Sequence, residues 1–332
     1  MADATATTTE LELFELKLEY ETPQFLQNLF GNDVGELRYL EKELGVKVVT
    51  RDGWILICGP KEVCTRVREI FQDLEEAARS GAEIQARDFR MAVDLAAKKA
   101  EGGQISKMSQ VKLVGARGRK PVTARTPSQL TYLNAMVNNE VVFGMGPAGT
   151  GKTYLAVAMG LHLLKNKDIK RVILTRPAVE AGEALGFLPG DLKEKVAPYL
   201  RPLYDAIDDM IGYEEGASRL DDGSIEIAPL AYMRGRTLSQ SFVILDEAQN
   251  TTEEQMFMAL TRLGEGSRAI ITGDASQIDL RGGQKSGLLE AEQALKGVKG
   301  VSFCHFESSD VVRHPVVGRI IDAYGKHRDQ SE

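Results

Sequence analysis

Apolar and polar positions in the first 80 residues follow the periods of a small mixed domain. Residues 11–19 alternate between apolar and polar side chains, which predicts a strand. Two helices follow, separated by a break at 31–35, and the second ends at Gly45. A hairpin with its turn at 51–53 comes next, and Pro60 opens a third helix. This order predicts a small α+β domain.

A different pattern begins at residue 126, where strand-like apolar runs alternate with amphipathic helices. Such alternation is typical of an α/β fold, with a parallel sheet covered by helices on both faces. The predicted strands are 141–145, 171–175, 241–245, 268–272 and 300–306, with one more before Pro229. The predicted helices are 152–164, 190–213, 253–263 and 285–295. Between the two patterns we predict a helix at 82–100, then a linker at 101–126 with a short strand at 110–114.

Composition limits the class of protein. The chain has 332 residues, of which 43% are apolar, enough for about two domains with ordinary cores. No apolar run approaches the ~20 residues of a membrane span, and the polar, Thr-rich residues 1–10 do not resemble a signal peptide. The three cysteines are too few and too scattered for a disulfide framework or a zinc site. We therefore expect a cytoplasmic protein without a membrane partner.

Charge is unevenly distributed along the chain. The formal net charge of −7 argues against a protein that coats nucleic acid indiscriminately. Residues 87–125, however, hold ten Lys or Arg and three acidic residues. This segment is either a phosphate-contacting stretch or a solvated basic linker.

The stretch from Gly146 to Thr153 is the clearest chemical signal. It lies between an apolar run and a predicted helix, as a phosphate loop of the form G-x-x-x-x-G-K-T does. Its glycines let backbone N–H groups converge on phosphate oxygens, and the helix presents its positive end to the same anion. Lys152 is predicted to reach the β- and γ-phosphates, and the Thr153 hydroxyl to bind Mg²⁺. The predicted nucleotide-binding residues of the loop are Gly146, Pro147, Ala148, Gly149, Thr150, Gly151, Lys152 and Thr153.

Polar side chains that follow two further strands are suited to hydrolysis. Asp246 ends a buried apolar run and is predicted to hold the Mg²⁺ shell. Glu247, next along the chain, is predicted to deprotonate an attacking water. Gln277 follows another apolar run, in G-D-x-x-Q, and can bond both the γ-phosphate and that water. A base for water indicates hydrolysis rather than transfer to a substrate hydroxyl.

Several residues outside these stretches are further candidates for roles in nucleotide binding, catalysis or assembly. The Gln129 amide can pair with the donor and acceptor edges of adenine, which favours ATP over GTP. Arg313 is a candidate arginine finger that neutralises charge on the γ-phosphate, with an ordinary surface arginine as the alternative. Arg176, Arg234 and Arg236 are candidates for a subunit interface or for RNA phosphates, with a structural role as the alternative for each.

The order of elements over about residues 11–79 resembles a KH domain, a small fold that grips single-stranded RNA with a G-x-x-G loop between two helices. The corresponding loop is 31–34, where Val34 replaces the second glycine and Asp33 has no Lys or Arg beside it. RNA binding and a role in assembly are therefore both open for this domain.

The motifs of the second part recur in the order of superfamily 1 helicase motifs and closely resemble the PhoH-like proteins, a family of bacterial phosphate-starvation-inducible ATPases. Besides Gln129 and the phosphate loop, the resemblance rests on Leu174 to Pro177, Asp246 to Gln249, Gly273 to Gln277 and Asp310 to Pro315. It covers about residues 110–325 and implies a RecA-like P-loop NTPase that binds and hydrolyses ATP. It also implies a cytoplasmic location and a role in RNA metabolism, with an endoribonuclease or ribosome-maturation partner.

Helicases of that superfamily place ATP between two RecA-like domains, whereas only one is expected here. Another subunit must then complete the cleft, or it stays open. We predict a ring in which Arg313 reaches into a neighbour's site, and the family resemblance implies a hexamer. The first domain shows no cluster of metal-binding acids, so nuclease activity is not expected.

The sequence thus predicts a Mg²⁺-dependent ATPase that acts on single-stranded RNA or ribonucleoprotein. The predicted domains are 11–79 and 126–325, joined by a helix and basic linker at 80–125, with tails at 1–10 and 326–332. The main alternative is an ATP-controlled switch or assembly factor that docks protein partners without unwinding RNA. A small-molecule kinase is disfavoured by Glu247 and Gln277, which are suited to placing water.

Overall fold

The computed structural model of the chain contains two compact units, Met1–Val111 and Lys112–Glu332. The structure describes residues 14–99, 102–113, 120–177, 192–280 and 283–312, together with the isolated positions 316, 320 and 323. For residues 192–198 it describes only the helix backbone. In these residues no helix is both long and apolar enough to cross a bilayer.

The first unit is built on a three-stranded antiparallel sheet in the order β1-β3-β2. Its first six elements are β1 Phe14–Glu19, α1 Pro23–Leu29, α2 Gly35–Leu44, β2 Lys47–Arg51, β3 Trp54–Gly59 and α3 Lys61–Arg79. The order of strands and helices expected from the sequence is confirmed. The Thr22 hydroxyl accepts a hydrogen bond from the Phe25 amide at the start of α1, and Gly45 ends α2 in the left-handed region at φ 69°.

Two further helices belong to this unit, α4 Ala86–Ala97 and α5 Gln104–Gln110. Residues 104–110 were expected to lie in a linker, and that prediction is wrong. The Asp73 carboxylate on α3 accepts hydrogen bonds from the amides of Ile105 and Ser106, at 2.9 and 2.8 Å. These bonds satisfy two donors of the first turn of α5 with a side chain about 30 positions away, which local patterns do not reveal. The strand expected at 110–114 is reduced, among the described residues, to a single bridge between Leu113 and Val122.

The second unit is an α/β fold with six parallel strands in the order β6-β5-β7-β8-β4-β9. Its strands are β4 Val141–Met145, β5 Arg171–Arg176, β6 Ile225–Pro229, β7 Ser241–Leu245, β8 Arg268–Gly273 and β9 Val301–His305. Its helices are α6 Pro127–Asn138, α7 Lys152–Lys165, α8 Leu192–Ile211, α9 Tyr213–Asp221, α10 Glu253–Leu260 and α11 Gly287–Ala294. All six expected strands are confirmed. Helices α6 and α9 were not predicted, although Thr126-Pro127 is an ordinary start signal for α6.

The strand order makes this sheet RecA-like, because β8 lies between β4 and β7, the strands that precede the glycine loop and Asp246. Every residue of β7 is buried, as expected for a central strand covered on both faces. Because all six strands are parallel, the loops after β4, β5, β7 and β8 emerge at one edge of the sheet. The candidate site residues therefore converge at this edge.

Candidate functional site

The loop between β4 and α7 needs glycine at three positions. Gly146, Gly149 and Gly151 have φ values of 141°, 87° and 82°, which L side chains rarely adopt. A Cβ at Gly146 would also overlap the carbonyl oxygen of Phe306, which follows β9. The loop consequently wraps tightly around the start of α7 and directs its backbone into the cleft.

Lys152 lies at the start of α7, where the helix carries its positive end. Its side chain is buried, and its Nζ donates to the carbonyls of Gly146 and Pro147 at 2.6 and 2.7 Å. The ammonium thus lies across the loop. A bound phosphate would offer stronger acceptors at that position, because charge-assisted hydrogen bonds are the stronger ones.

Thr153, Asp246 and Thr272 form a compact group of oxygens at the mouth of the loop. Thr153 Oγ1 donates to Asp246 Oδ1 at 2.7 Å, and Thr272 Oγ1 donates to the same oxygen at 2.8 Å. Thr272 is buried at the end of β8 and was not singled out in the sequence. A hydroxyl and a carboxylate are hard oxygen donors, and a site with so few protein ligands suits Mg²⁺, which keeps water and phosphate in its shell. Thr153 and Asp246 would hold the ion, and Thr272 would orient Asp246.

Glu247 has an unusual backbone conformation and two side-chain partners. Its φ of 52° and ψ of 40° are left-handed, a conformation that costs about 1–2 kcal/mol for a residue other than glycine. Its Oε1 accepts from Arg176 Nη2 and its Oε2 from Gln249 Nε2, both at 2.6 Å. The backbone conformation and the two bonds set where the carboxylate lies.

Asp274 joins the β8 loop to the phosphate loop. Its Oδ2 accepts from the Ala148 amide at 3.1 Å and from Gln277 Nε2 at 2.6 Å, while Oδ1 accepts from the amide and hydroxyl of Ser276. Burial raises the pKa of this carboxyl, but the hydrogen bonds from Ser276 and Gln277 and the Lys152 charge outweigh it, so the pKa lies below its ordinary value. The sequence singled out Gln277 but gave Asp274 no role of its own.

These side chains surround one cleft of about 240 Å³. It is lined by Ala148, Gly149, Gly151, Lys152, Thr153, Tyr154, Asp246, Glu247, Gly273, Asp274 and Gln277. The fold therefore brings together the predicted phosphate, metal, base and sensor residues, although they span more than 120 positions of the sequence. The cleft can bind an anion, hold a cation with hard ligands and place a carboxylate beside both.

Gln129 lies near this cleft, but its amide is not available to pair with adenine, the role expected from the sequence. It is buried on α6, its Nε2 donates to the Thr150 carbonyl at 2.9 Å, and its Oε1 accepts from the Arg125 amide at 2.7 Å. Both ends of the amide are thus engaged by the backbone, and Gln129 anchors the phosphate loop. A neighbouring cavity of about 540 Å³ is lined by Lys120, Pro121, Val122, Thr123, Arg125, Gln129, Gly149, Gly151, Tyr154, Leu155, Asp209 and Val312.

The candidate arginines have different surroundings. Arg176 reaches the site, whereas Arg236 forms a two-point ion pair with Glu226 and Arg234 does not line the cleft. Arg313 lies outside the described residues. The amide of Val312, immediately before it, donates to the carbonyl of Gly149 at 3.0 Å, which ties this segment to the phosphate loop.

In the first unit, the loop at 31–34 contacts the start of α4 at its first residue. A Cβ at Gly31, whose φ is 67°, would overlap the backbone nitrogen of Ala86 at the start of α4. Arg90 on α4 also forms a two-point ion pair with Glu36, whose side chain is fully buried. Gly31 therefore packs against the start of α4, whereas residues 32–34 are exposed.

A glycine phosphate loop, a strand-end aspartate and a RecA-like strand order together define the second unit as a P-loop NTPase domain. The chain belongs to the PhoH-like protein family, whose model matches residues 121–325. A PhoH-like protein of Bacillus subtilis is 50% identical over 95% of this chain and 98% of its own length. One from Synechocystis is 45% identical over 95% of each, and the protein PhoH of Escherichia coli is 43% identical over 66% of this chain and 64% of its own.

A solved structure of the UvsW helicase from bacteriophage T4 also aligns with the chain, at 12% identity. The alignment covers 62% of this chain and 66% of the helicase, with a TM-score of 0.38.

Proposed function

We propose that this protein is a Mg²⁺-dependent ATPase that acts in RNA metabolism. The observation that carries the ATPase activity is the 2.7 Å hydrogen bond between Thr153 and Asp246 at the mouth of the phosphate loop, with Glu247 beside it. The same cleft thus has places for phosphate, metal and water, which hydrolysis of a phosphoanhydride requires. The role in RNA metabolism rests on the family resemblance.

Each residue has a separate task in this proposal. Lys152 and the loop amides bind the phosphates, while Thr153 and Asp246 would hold Mg²⁺, which would neutralise charge on the phosphate oxygens. Glu247 accepts the proton of the attacking water through a carboxylate oxygen. Gln277 orients that water by donating or accepting through its amide, and Asp274 holds Gln277 near the loop.

The choice of ATP rests on the motif order, and the cavity beside the loop offers room for a nucleoside. Its lining includes apolar and aromatic surface from Val122, Tyr154 and Leu155, on which a base can pack. Gln129 supports this site indirectly, by holding the Thr150 carbonyl. Base selection would then come from the cavity walls rather than from the Gln129 amide.

The RNA partner is implied by the family resemblance, and the ring is supported by the single RecA-like unit among the described residues, which leaves the cleft for another subunit to complete. The Val312 amide, one residue before Arg313, donates to this chain's own phosphate loop, so position 312 lies beside that loop. We propose that subunits assemble into a ring, with six members by family resemblance, and that Arg313 completes a neighbour's site. An endoribonuclease or ribosome-maturation factor would be the protein partner. Sedimentation that finds only fully active monomers would contradict the ring.

The packing of α4 on the 31–34 loop favours a second candidate function. This loop has Ala86 against its first residue and contains an aspartate and no basic residue, so it is poorly suited to gripping RNA phosphates. The chain could instead be an ATP-controlled switch that docks protein partners, with hydrolysis only resetting it. Partner binding that requires ATP but not its hydrolysis would favour this candidate.

Steady-state ATP turnover with and without single-stranded RNA tests both candidates. We expect RNA to accelerate the wild type, and Glu247→Gln to lower kcat by about 10²–10⁴-fold while ATP still binds. Glu253→Gln, at the start of α10 and outside the residues that line the cleft, is a matched control that should keep wild-type turnover. Slow turnover that RNA does not change would favour the switch, and wild-type turnover in Glu247→Gln would contradict hydrolysis at this site.

A further inference from the structure

Two neighbouring cavities of the second unit share one wall. The phosphate cleft and the larger cavity of about 540 Å³ are both lined by Gly149, Gly151 and Tyr154. Glu247 and Gln277, which face the γ-phosphate in the proposed function, line the cleft and lie outside the described lining of the larger cavity. A triphosphate with its γ end beside these two side chains therefore has its α end, and the sugar attached to it, at the shared wall.

The Tyr154 side chain is held at this wall by a residue of another helix. Its hydroxyl donates to Asp209 Oδ2 on α8 at 2.8 Å, across 55 positions of the sequence. Tyr154 is 38% exposed, so its ring is accessible to a ligand. Both Tyr154 and Asp209 line the larger cavity. The hydrogen bond thus fixes where the ring and the carboxylate lie relative to the phosphate loop.

Asp209 lies where a helix disfavours an acidic residue. It is in the last turn of α8, Leu192–Ile211, next to the negative end of the helix dipole. The stability of α8 therefore does not account for an aspartate at this position. Among the described residues that line the larger cavity, Asp209 is the one carboxylate. A carboxylate accepts up to about four hydrogen bonds, so Asp209 can accept from ligand hydroxyls as well as from Tyr154.

We propose that Asp209 and Tyr154 recognise the ribose of the nucleotide, with the Asp209 carboxylate accepting hydrogen bonds from the 2′- and 3′-hydroxyls. The proposal rests on the binding of ATP in the cleft proposed above. The two adjacent hydroxyls are donors that one carboxylate can accept together. Tyr154 positions this carboxylate through its own hydroxyl, and its ring forms the wall between sugar and phosphates. The site thus selects ribonucleoside over deoxyribonucleoside triphosphates.

Calorimetric titration of the full chain with ATP, 2′-deoxy-ATP and 3′-deoxy-ATP tests this selection. The titrations use the Glu247→Gln background, which is expected to bind nucleotide without turning it over. ATP should bind about 10-fold more tightly than either deoxy form, the size of a hydrogen bond to a charged group. In Asp209→Ala, ATP should bind as weakly as the deoxy forms do, and the affinity for the deoxy forms should change little.

Three further variants sharpen the test. Asp209→Asn keeps a neutral acceptor and should retain part of the preference for ATP, and it carries the test if Asp209→Ala does not fold. Tyr154→Phe keeps the ring and removes the bond to Asp209, so the preference should fall about 3-fold. Asp205→Ala, one turn earlier on α8 and paired with Arg201, is the matched control and should keep the full preference.

The outcomes separate this inference from the proposed function. Equal binding of ATP and both deoxy forms without a change at Asp209, or an unchanged preference in Asp209→Ala, would overturn ribose recognition. A change in the preference between ATP and GTP alone would also overturn it, because Asp209 would then contact the base. An unchanged preference in Tyr154→Phe would remove the positioning role of Tyr154. Failure of all three nucleotides to bind would instead contradict the proposed function.

Discussion

Thr272 and Thr153 donate hydrogen bonds to the same oxygen of Asp246, at 2.8 and 2.7 Å. Thr272 lies at the end of β8 and Thr153 at the start of α7, so the shared acceptor joins two neighbouring elements of the site. Thr272 is buried, whereas Thr153 lines the cleft. The hydrogen bond from Thr153 to Asp246 can therefore give way when these two side chains hold a metal, while the bond from Thr272 continues to orient the carboxylate.

Replacement of Thr272 by valine should weaken Mg²⁺ binding without disturbing the fold, since the side chains have nearly the same shape. We expect the Mg²⁺ concentration for half-maximal turnover to rise by about 10-fold or more, the usual effect of removing an outer-shell partner. Turnover measured against Mg²⁺ concentration checks this, and Thr272→Ser, which keeps the hydroxyl, should stay close to wild type. An unchanged Mg²⁺ dependence in Thr272→Val would contradict the role.

Gln129→Leu distinguishes anchoring of the loop from reading of the base. Loss of the bonds to Thr150 and Arg125 should weaken binding of ATP and GTP by similar factors, about 5- to 10-fold for one or two hydrogen bonds. Calorimetric titration with both nucleotides measures the ratio. If Gln129 reads adenine, ATP affinity alone should fall and the preference between the nucleotides should disappear.

Gly31→Ala should destabilise the first unit, because the added Cβ would overlap the Ala86 backbone and Gly31 has a left-handed φ. We expect a loss of about 2–4 kcal/mol in the free energy of unfolding. Gly81 also has a positive φ but has open space around it, so Gly81→Ala is the control and should lose only about 1–2 kcal/mol. Trp54 is the only tryptophan, so its fluorescence during urea unfolding reports on this unit. Equal losses in the two variants would show that α4 does not hold the loop.

Asp274 should make the second unit sensitive to acid. Its pKa in the folded protein lies below the ordinary value, whereas in the unfolded chain it is about 3.9. The carboxylate therefore contributes its full stability above about pH 4–5. This contribution is lost as the pH falls through the folded pKa. We expect the free energy of unfolding of the wild type to fall more steeply below about pH 4 than that of Asp274→Asn, which does not titrate there. Urea unfolding followed by circular dichroism at several pH values measures the slopes, and parallel slopes would contradict this linkage.

The elements that local patterns specify were predictable from the sequence. The central strands of the parallel sheet followed from short apolar runs bounded by turn residues, because a central strand must be apolar on both faces. The phosphate loop was recognisable because its chemistry requires glycine and lysine at fixed spacing within one short stretch. In the first unit, the alternation of strand and helix periods specified the order of elements.

Contacts between distant residues were decided only in the tertiary structure. Helix α5 begins where Asp73, far away in sequence, caps it, and the start of α4 packs against Gly31. One partner of Glu247 is Arg176, 71 positions away at the end of β5, and no spacing in the sequence indicates that these two groups meet. Amino-acid types and local periodicity thus determined the elements and the phosphate chemistry. Strand order and packing decided which side chains hold the acids and amides in place. The physical reason is that hydrogen bonds form only between groups that the fold brings within about 3 Å of each other.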